Sequence, residues 1–325
     1  MKIACAVTPD AGLSHARAQD QEVVPEGAPA GFLPFSVAQP SELERTMRFG
    51  GGGRSSNLED RRGFGGRAGL GIGGTAVVLI LSLLFGRNLF NDIGVSPTGA
   101  VATSNGELSA ADSAAEEPEV LRVSGVLDDV QQTWATILPR YGTQYQDAKL
   151  VLFRDYTPTG CGTGQTAMGP FYCPVDQKVY LDLGFFDELR NKFGAAGDFA
   201  QGYVIAHELG HHVQNLLGTE AEVRRAQERD PSNANRYSVM LELQADCYAG
   251  VWGHSAQQRD KLDPGDMQEG LAAAASVGDD RILKQAGRSA NADSFTHGSS
   301  AQRESWFKRG FDSGDPAQCD TFAGR

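Results

Sequence analysis

The stretch from Asp198 to Gly218 reads D-F-A-Q-G-Y-V-I-A-H-E-L-G-H-H-V-Q-N-L-L-G. Phe199, Tyr203, Ala206, Leu209, Val213 and Leu216 recur at spacings of three and four, which predicts a helix with one buried face. Asp198 stands where a cap belongs, Gln201 completes a capping box, and Gly218 supplies a stop. His207 and His211 lie one turn apart on this helix, so both imidazoles can reach one ion at about 2.0–2.1 Å. Glu208 projects beside that ion, where a carboxylate can take the proton of a bound water. His212 is rotated about 100° from His211, which makes it a polar supporting residue rather than a ligand.

A second motif follows in L-E-L-Q-A-D-C, Leu241 to Cys247, within a stretch from about 235 to 255 that has few helix breakers. A catalytic zinc takes three protein ligands and keeps one position open. Glu242 is the candidate third ligand, and Asp246, one turn along the same face, can hold the free ring nitrogen of a ligand histidine. A solvated acidic helix face is the alternative. Against it, Glu242 is set among Val239, Leu241, Leu243 and Ala245, where an unpaired charge is costly.

Around these motifs the chain divides by composition. Residues 1–46 mix Ala, Pro, Glu and Gln without periodicity and read as a disordered leader, with Met47 a candidate true start. A basic segment, 47–67, precedes a nearly uncharged apolar run from Ala68 to Phe90, long enough for one transmembrane helix. Residues 91–119 are rich in Ala, Ser, Gly, Thr and acids and read as a flexible tether, and the folded domain is placed at 120–325. Arg48, Arg54, Arg61, Arg62 and Arg67 precede the apolar run, whereas Asp92, Glu107, Asp112, Glu116, Glu117 and Glu119 follow it. That asymmetry predicts an N-terminus in the cytoplasm and an exported domain, in a periplasm or outside the cell.

Within the domain, Val123, Val126, Val130, Trp134 and Ile137 predict a first helix, and Lys149–Phe153 and Lys178–Leu183 predict short strands. The expected fold class is α+β, one helix-rich domain with a small sheet, preceded by one transmembrane helix. A net charge of -12 with no basic stripe excludes nucleic acid as a partner. Cys5, Cys161, Cys173, Cys247 and Cys319 form no paired C-x-x-C knuckle. The last four make two bridges if the domain is exported, with three pairings open from the sequence, and otherwise are buried thiols.

H-E-L-G-H followed by E-L-Q-A-D resembles the glutamate-liganded zincins, and no H-x-x-G-x-x-H extension of the metzincin type follows His211. From Met47 onward the chain also resembles a neutral zinc metallopeptidase family of bacterial single-span membrane proteins. The resemblance is carried by Leu58 to Gly63, Gly169 to Leu183, His207 to Gln214, Leu241 to Trp252, Phe295 to Arg303 and Gly310 to Phe322. It implies a zincin-like domain in the cytoplasmic membrane, one Zn2+ on His207, His211 and Glu242 with Asp246 behind, and peptide or protein substrates. It further implies a metalloendopeptidase reaction with Glu208 as general base, and the strand Val179–Leu183 pairing with an extended peptide if its edge is free. His297, in F-T-H-G, is the leading candidate for stabilising the transition state, with Tyr248, Tyr237 and His254 as others. Cys161 and Cys173 flank a Gly-rich loop and are expected to bridge it, leaving Cys247 for Cys319, with Cys247 as a zinc ligand the weaker reading. Two other functions compete: a zinc-binding peptide or chaperone module without turnover, and a zinc hydrolase of non-peptide amides.

Overall fold

A computed structural model describes Phe49, residues 52–63, 109–195 and 197–323. The apolar run 68–90 lies outside these, and among the described residues no helix is long and apolar enough to cross a membrane. The motif-bearing segment forms a 20-residue helix, Asp198–Leu217, at the centre of the helical layer. It is buried on nearly all sides because other helices pack around it.

In chain order the elements are β1 (Leu58–Asp60), α1 (Ala110–Ile137), β2 (Lys149–Phe153), β3 (Tyr156–Thr159), β4 (Gly162–Gln165), β5 (Phe171–Cys173) and β6 (Lys178–Asp182). Then follow α2 (Gly184–Asn191), α3 (Asp198–Leu217), α4 (Thr219–Arg229), α5 (Ala234–Gln258), α6 (Asp266–Ser276), α7 (Asp279–Gln285) and α8 (Ser300–Ser313). This is the expected helix-rich α+β arrangement. The main sheet has the order β1-β2-β6-β5, with β1, β2 and β6 parallel and β5 antiparallel at one edge. A separate hairpin pairs β3 with β4.

Alternation explains the strands. Leu150 and Leu152, with Val179 and Leu181, face the main core beneath the helices, while Val151, Phe153 and Tyr180 form a smaller cluster with Cys173. Stacked Phe199 and Trp252, with centroids 5.4 Å apart, fill the main core between α3 and α5. Helices α5 and α8 cross at Gly250 and Gly310. A Cβ on Gly310 would stand 1.9 Å from the Cys247 carbonyl oxygen, so only glycine permits this approach.

Four sequence expectations need correction. The folded body does not begin at 120: Ser109 accepts from the Asp112 amide and starts a 28-residue helix, so part of the expected tether is helical. Residues 52–63, assigned to a separate basic segment, supply β1, which hydrogen-bonds alongside β2. β6 is covered by β2 on one side and, over Lys178–Tyr180, by β5 on the other, so its edge is not free there; β5 lies at the edge of the sheet. Asp198 is the first residue of α3 rather than its cap, and the Phe199 amide is met by Glu269 of α6. Gly218 does end α3 in the left-handed region, at φ 78°.

Candidate metal centre and cleft

Helix α3 puts His207 and His211 on one face, with rings 4.8 Å apart and nearly perpendicular. Gly210 lets α5 come close, since a Cβ there would lie 3.1 Å from the Ala245 carbonyl oxygen. Glu242 of α5 thereby meets both rings: its carboxylate oxygens lie 3.3 Å from His207 Nε2 and 3.6 Å from His211 Nε2. Donors about 2.1 Å from a tetrahedral ion stand about 3.4 Å from one another, so the three residues fit a zinc ion.

The other ring nitrogens are fixed. His207 Nδ1 lies 2.9 Å from Asp246 Oδ1, and His211 Nδ1 lies 2.8 Å from Gln214 Oε1. Both Nδ1 atoms therefore donate, and both Nε2 lone pairs turn to the same point, which is the tautomer a metal site needs. Asp246 is fully buried. Its carboxylate accepts from Tyr203 at 2.6 Å and from Arg303 Nε and Nη2 at 2.8 and 2.9 Å. Burial pushes the Asp246 carboxyl up, but Arg303 and His207 outweigh it and hold it below the usual range. Burial likewise pushes Glu242 up, and His211 and His207 bring it well below. Arg303 answers the charge of Asp246, which leaves Glu242 with the two Nε2 atoms as the donor set for a cation.

A chain of amides supports His211. Gln214 Nε2 donates to Leu241 O at 2.7 Å and to Gln244 Oε1 at 3.1 Å, and Gln244 Nε2 donates to Cys319 O at 3.1 Å. Disulfides join Cys247 to Cys319 and Cys161 to Cys173, so Cys247 is not available as a ligand. His212 is fully buried and turned from the centre, donating from Nε2 to Gln146 O at 2.6 Å and accepting at Nδ1 from Tyr172 at 2.9 Å. It ties the edge strand β5 to α3.

The centre forms the floor of a cavity of about 880 Å3. Glu208 also lines it, and among the described residues nothing hydrogen-bonds to its carboxylate. Phe171 and Tyr172 of β5 make one apolar wall, and Phe185, Phe193, Ile282 and Leu283 make others. Of the four candidate transition-state donors only His297 lines the cavity. Its Nδ1 is 3.1 Å from Asp279 Oδ1, and that contact raises its pKa although burial opposes. His254 Nδ1 instead meets Phe311 O at 2.7 Å, and Tyr248 packs on Trp134. Arg303 and Gln214 carry much of the support and were missed as such. Arg303 closes the F-T-H-G-S-S-A-Q-R stretch, and an arginine on an amphipathic helix gives no sign that it points inward.

No solved structure matches the chain. Two relatives are similar over long stretches. "Uncharacterized protein YpfJ" of Escherichia coli K12 is 49% identical over 289 residues, covering 85% of this chain and 99% of its own. "Uncharacterized protein Rv2575" of Mycobacterium tuberculosis H37Rv is 45% identical over 213 residues, covering 62% of this chain and 70% of its own. The family described as "Putative neutral zinc metallopeptidase" matches residues 47–322, which span the paired histidines, Glu242 and Arg303 together, and the chain belongs to that family.

Proposed function

We propose that the chain is a zinc metalloendopeptidase of the zincin-like type. The observation that carries this reading is the convergence of His207, His211 and Glu242 beside an uncommitted Glu208 on the floor of a cavity. Zinc held there would lower the pKa of its water and polarise the scissile carbonyl. Glu208 takes the proton of the attacking water and passes it to the leaving amine. A pure binding site has no use for that carboxylate, which favours turnover over a zinc-binding peptide or chaperone module. Asp246 and Gln214 keep both histidines in the liganding tautomer. His297, which lines the cavity and is held by Asp279, would stabilise the developing oxyanion.

The substrate is an extended peptide. Among the described residues β5 pairs only with β6, so its outer edge can add a strand while the apolar walls take side chains. A cavity of about 880 Å3 has room for a short stretch of peptide beside the centre. The two disulfides support an exported domain, and the apolar run 68–90 attaches it to the cytoplasmic membrane.

The test is zinc content and hydrolysis of a broad peptide library by the full chain, Glu208→Gln and Glu242→Ala. The parent should bind one zinc and cleave, Glu208→Gln should keep zinc and lose cleavage, and Glu242→Ala should lose zinc. A zinc-loaded parent that cleaves nothing sinks the reading in favour of the binding module.

A further inference from the structure

A single crossing by residues 68–90 would put residues 47–67 and the folded domain on opposite sides of a bilayer. The contacts of Phe49 and residues 52–63 are incompatible with that. β1 pairs in register with β2, Leu58 beside Leu150 and Asp60 beside Leu152, and Arg61 N donates to Leu152 O at 2.8 Å. Arg62 is almost wholly buried, with Nε and Nη2 on Asp60 at 2.9 and 2.7 Å and Nη1 on Glu116 of α1 at 2.6 Å. A buried guanidinium needs its carboxylates, and one of them lies beyond the apolar run. Ser55 Oγ donates to Asp128 of α1 at 2.5 Å, and Arg54 Nε donates to Glu117 of α1 at 2.9 Å. Phe49 packs on Trp252 at 5.6 Å, and Gly125 exists in α1 where a Cβ would stand 1.8 Å from the Phe49 carbonyl oxygen.

These pairs also change the meaning of the flanking charges. Arg54 and Arg62, counted as basic residues before the apolar run, are partners of Glu117 and Glu116, counted as acids after it. In the folded protein they neutralise one another and cannot mark opposite faces.

We propose that residues 52–63 and the domain stand on the same side of the membrane, so that the charges flanking residues 68–90 do not report a single crossing. Two crossings, the other way to bring the chain back to one side, are not available. The 23 residues from Ala68 to Phe90 suffice for one crossing. The return, N-D-I-G-V-S-P-T-G-A-V-A-T-S-N-G-E-L from Asn91 to Leu108, carries Asp92, Pro97 and Glu107 and is too polar for a second. Membrane attachment itself belongs to the proposed function; the same-side placement rests on the contacts alone.

The test uses the full chain in a Cys5→Ser background with one added cysteine, Gly53→Cys or Ser289→Cys, in intact cells treated with a membrane-impermeant maleimide. Both positions are exposed, and a Cβ at Gly53 meets nothing within 4 Å. Equal labelling before lysis, or labelling of both only after lysis, supports the placement. Labelling of Ser289→Cys alone before lysis overturns it. Recovery of the chain in the soluble fraction with equal labelling removes the anchor and leaves the placement standing. As a second measurement, Arg62→Ala should lower the unfolding midpoint of the detergent-extracted chain by several degrees, and an unchanged midpoint overturns the placement.

Discussion

Arg303→Met removes a charge from a site where water cannot replace it. Arg303 is 4% exposed and Asp246 fully buried, and two hydrogen bonds of 2.8 and 2.9 Å join them. Methionine fills much of the same length without a donor. Asp246 keeps Tyr203 and His207, yet loses the cation that holds it ionised. Removing one partner of a buried pair costs about 3–5 kcal/mol. For a domain of this size each kcal/mol moves the midpoint by about 2–4 °C, so the expected fall is about 6–20 °C. The assay is thermal unfolding of parent, Arg303→Met, Asp246→Asn and the double variant after chelation, followed by zinc titration. The double variant should recover at least about 1 kcal/mol relative to additivity, because neither charge is left alone. Zinc affinity should fall by about 10–100-fold in Arg303→Met, because Asp246, no longer held ionised by Arg303, is a weaker partner for His207 Nδ1. A midpoint within about 3 °C of the parent, or strict additivity, refutes the account of Arg303 as the support of Asp246.

Three further outcomes follow from the packing. Gly310→Ala places a methyl 1.9 Å from the Cys247 carbonyl oxygen, so denaturant unfolding should show a loss of at least about 1–3 kcal/mol as α8 moves off α5. Replacing Cys247 and Cys319 by alanine opens a link spanning 72 residues, and chain entropy predicts a loss of about 4 kcal/mol, read by the same method against the oxidised parent. Burial pushes the carboxyls of Asp266 and Glu269 up, to about 6 and about 7, with Asp198 beside them. The folded state thus binds protons there that the unfolded chain has released, and stability from Asp266 and Glu269 falls as pH rises from about 4 to 7. Asp266→Asn should flatten that part of the profile, by no more than about 2 kcal/mol since some screening remains; a profile identical to the parent's would contradict the shift.

Much of the site was legible because its residues lie on two helices whose periodicity is plain. His207 and His211 need only the 3.6-residue turn, and Glu242 betrays itself as a charge among apolar neighbours. The α3 and α5 boundaries and strands β2 and β6 follow from the same local patterns. What escaped was non-local. Nothing in L-E-D says that Leu58–Asp60 reaches across the apolar run to pair with β2, because a three-residue strand carries no period. The edge position of β5 depends on strand order, which local propensity does not contain. The cap was misassigned because Asp198 fits the capping pattern, whereas a carboxylate from α6, distant in sequence, meets the Phe199 amide instead.

The hydrogen-bonded line from His211 through Gln214 and Gln244 ends on the carbonyl of Cys319, a residue held by a disulfide. The bond of Cys319 to Cys247 forms only on oxidation. The setting of His211 therefore depends on thiol chemistry as well as on folding. A reduced chain carries H-E-L-G-H with the Cys319 end of that line untethered, so the ring of His211 is set less firmly until the bridge closes.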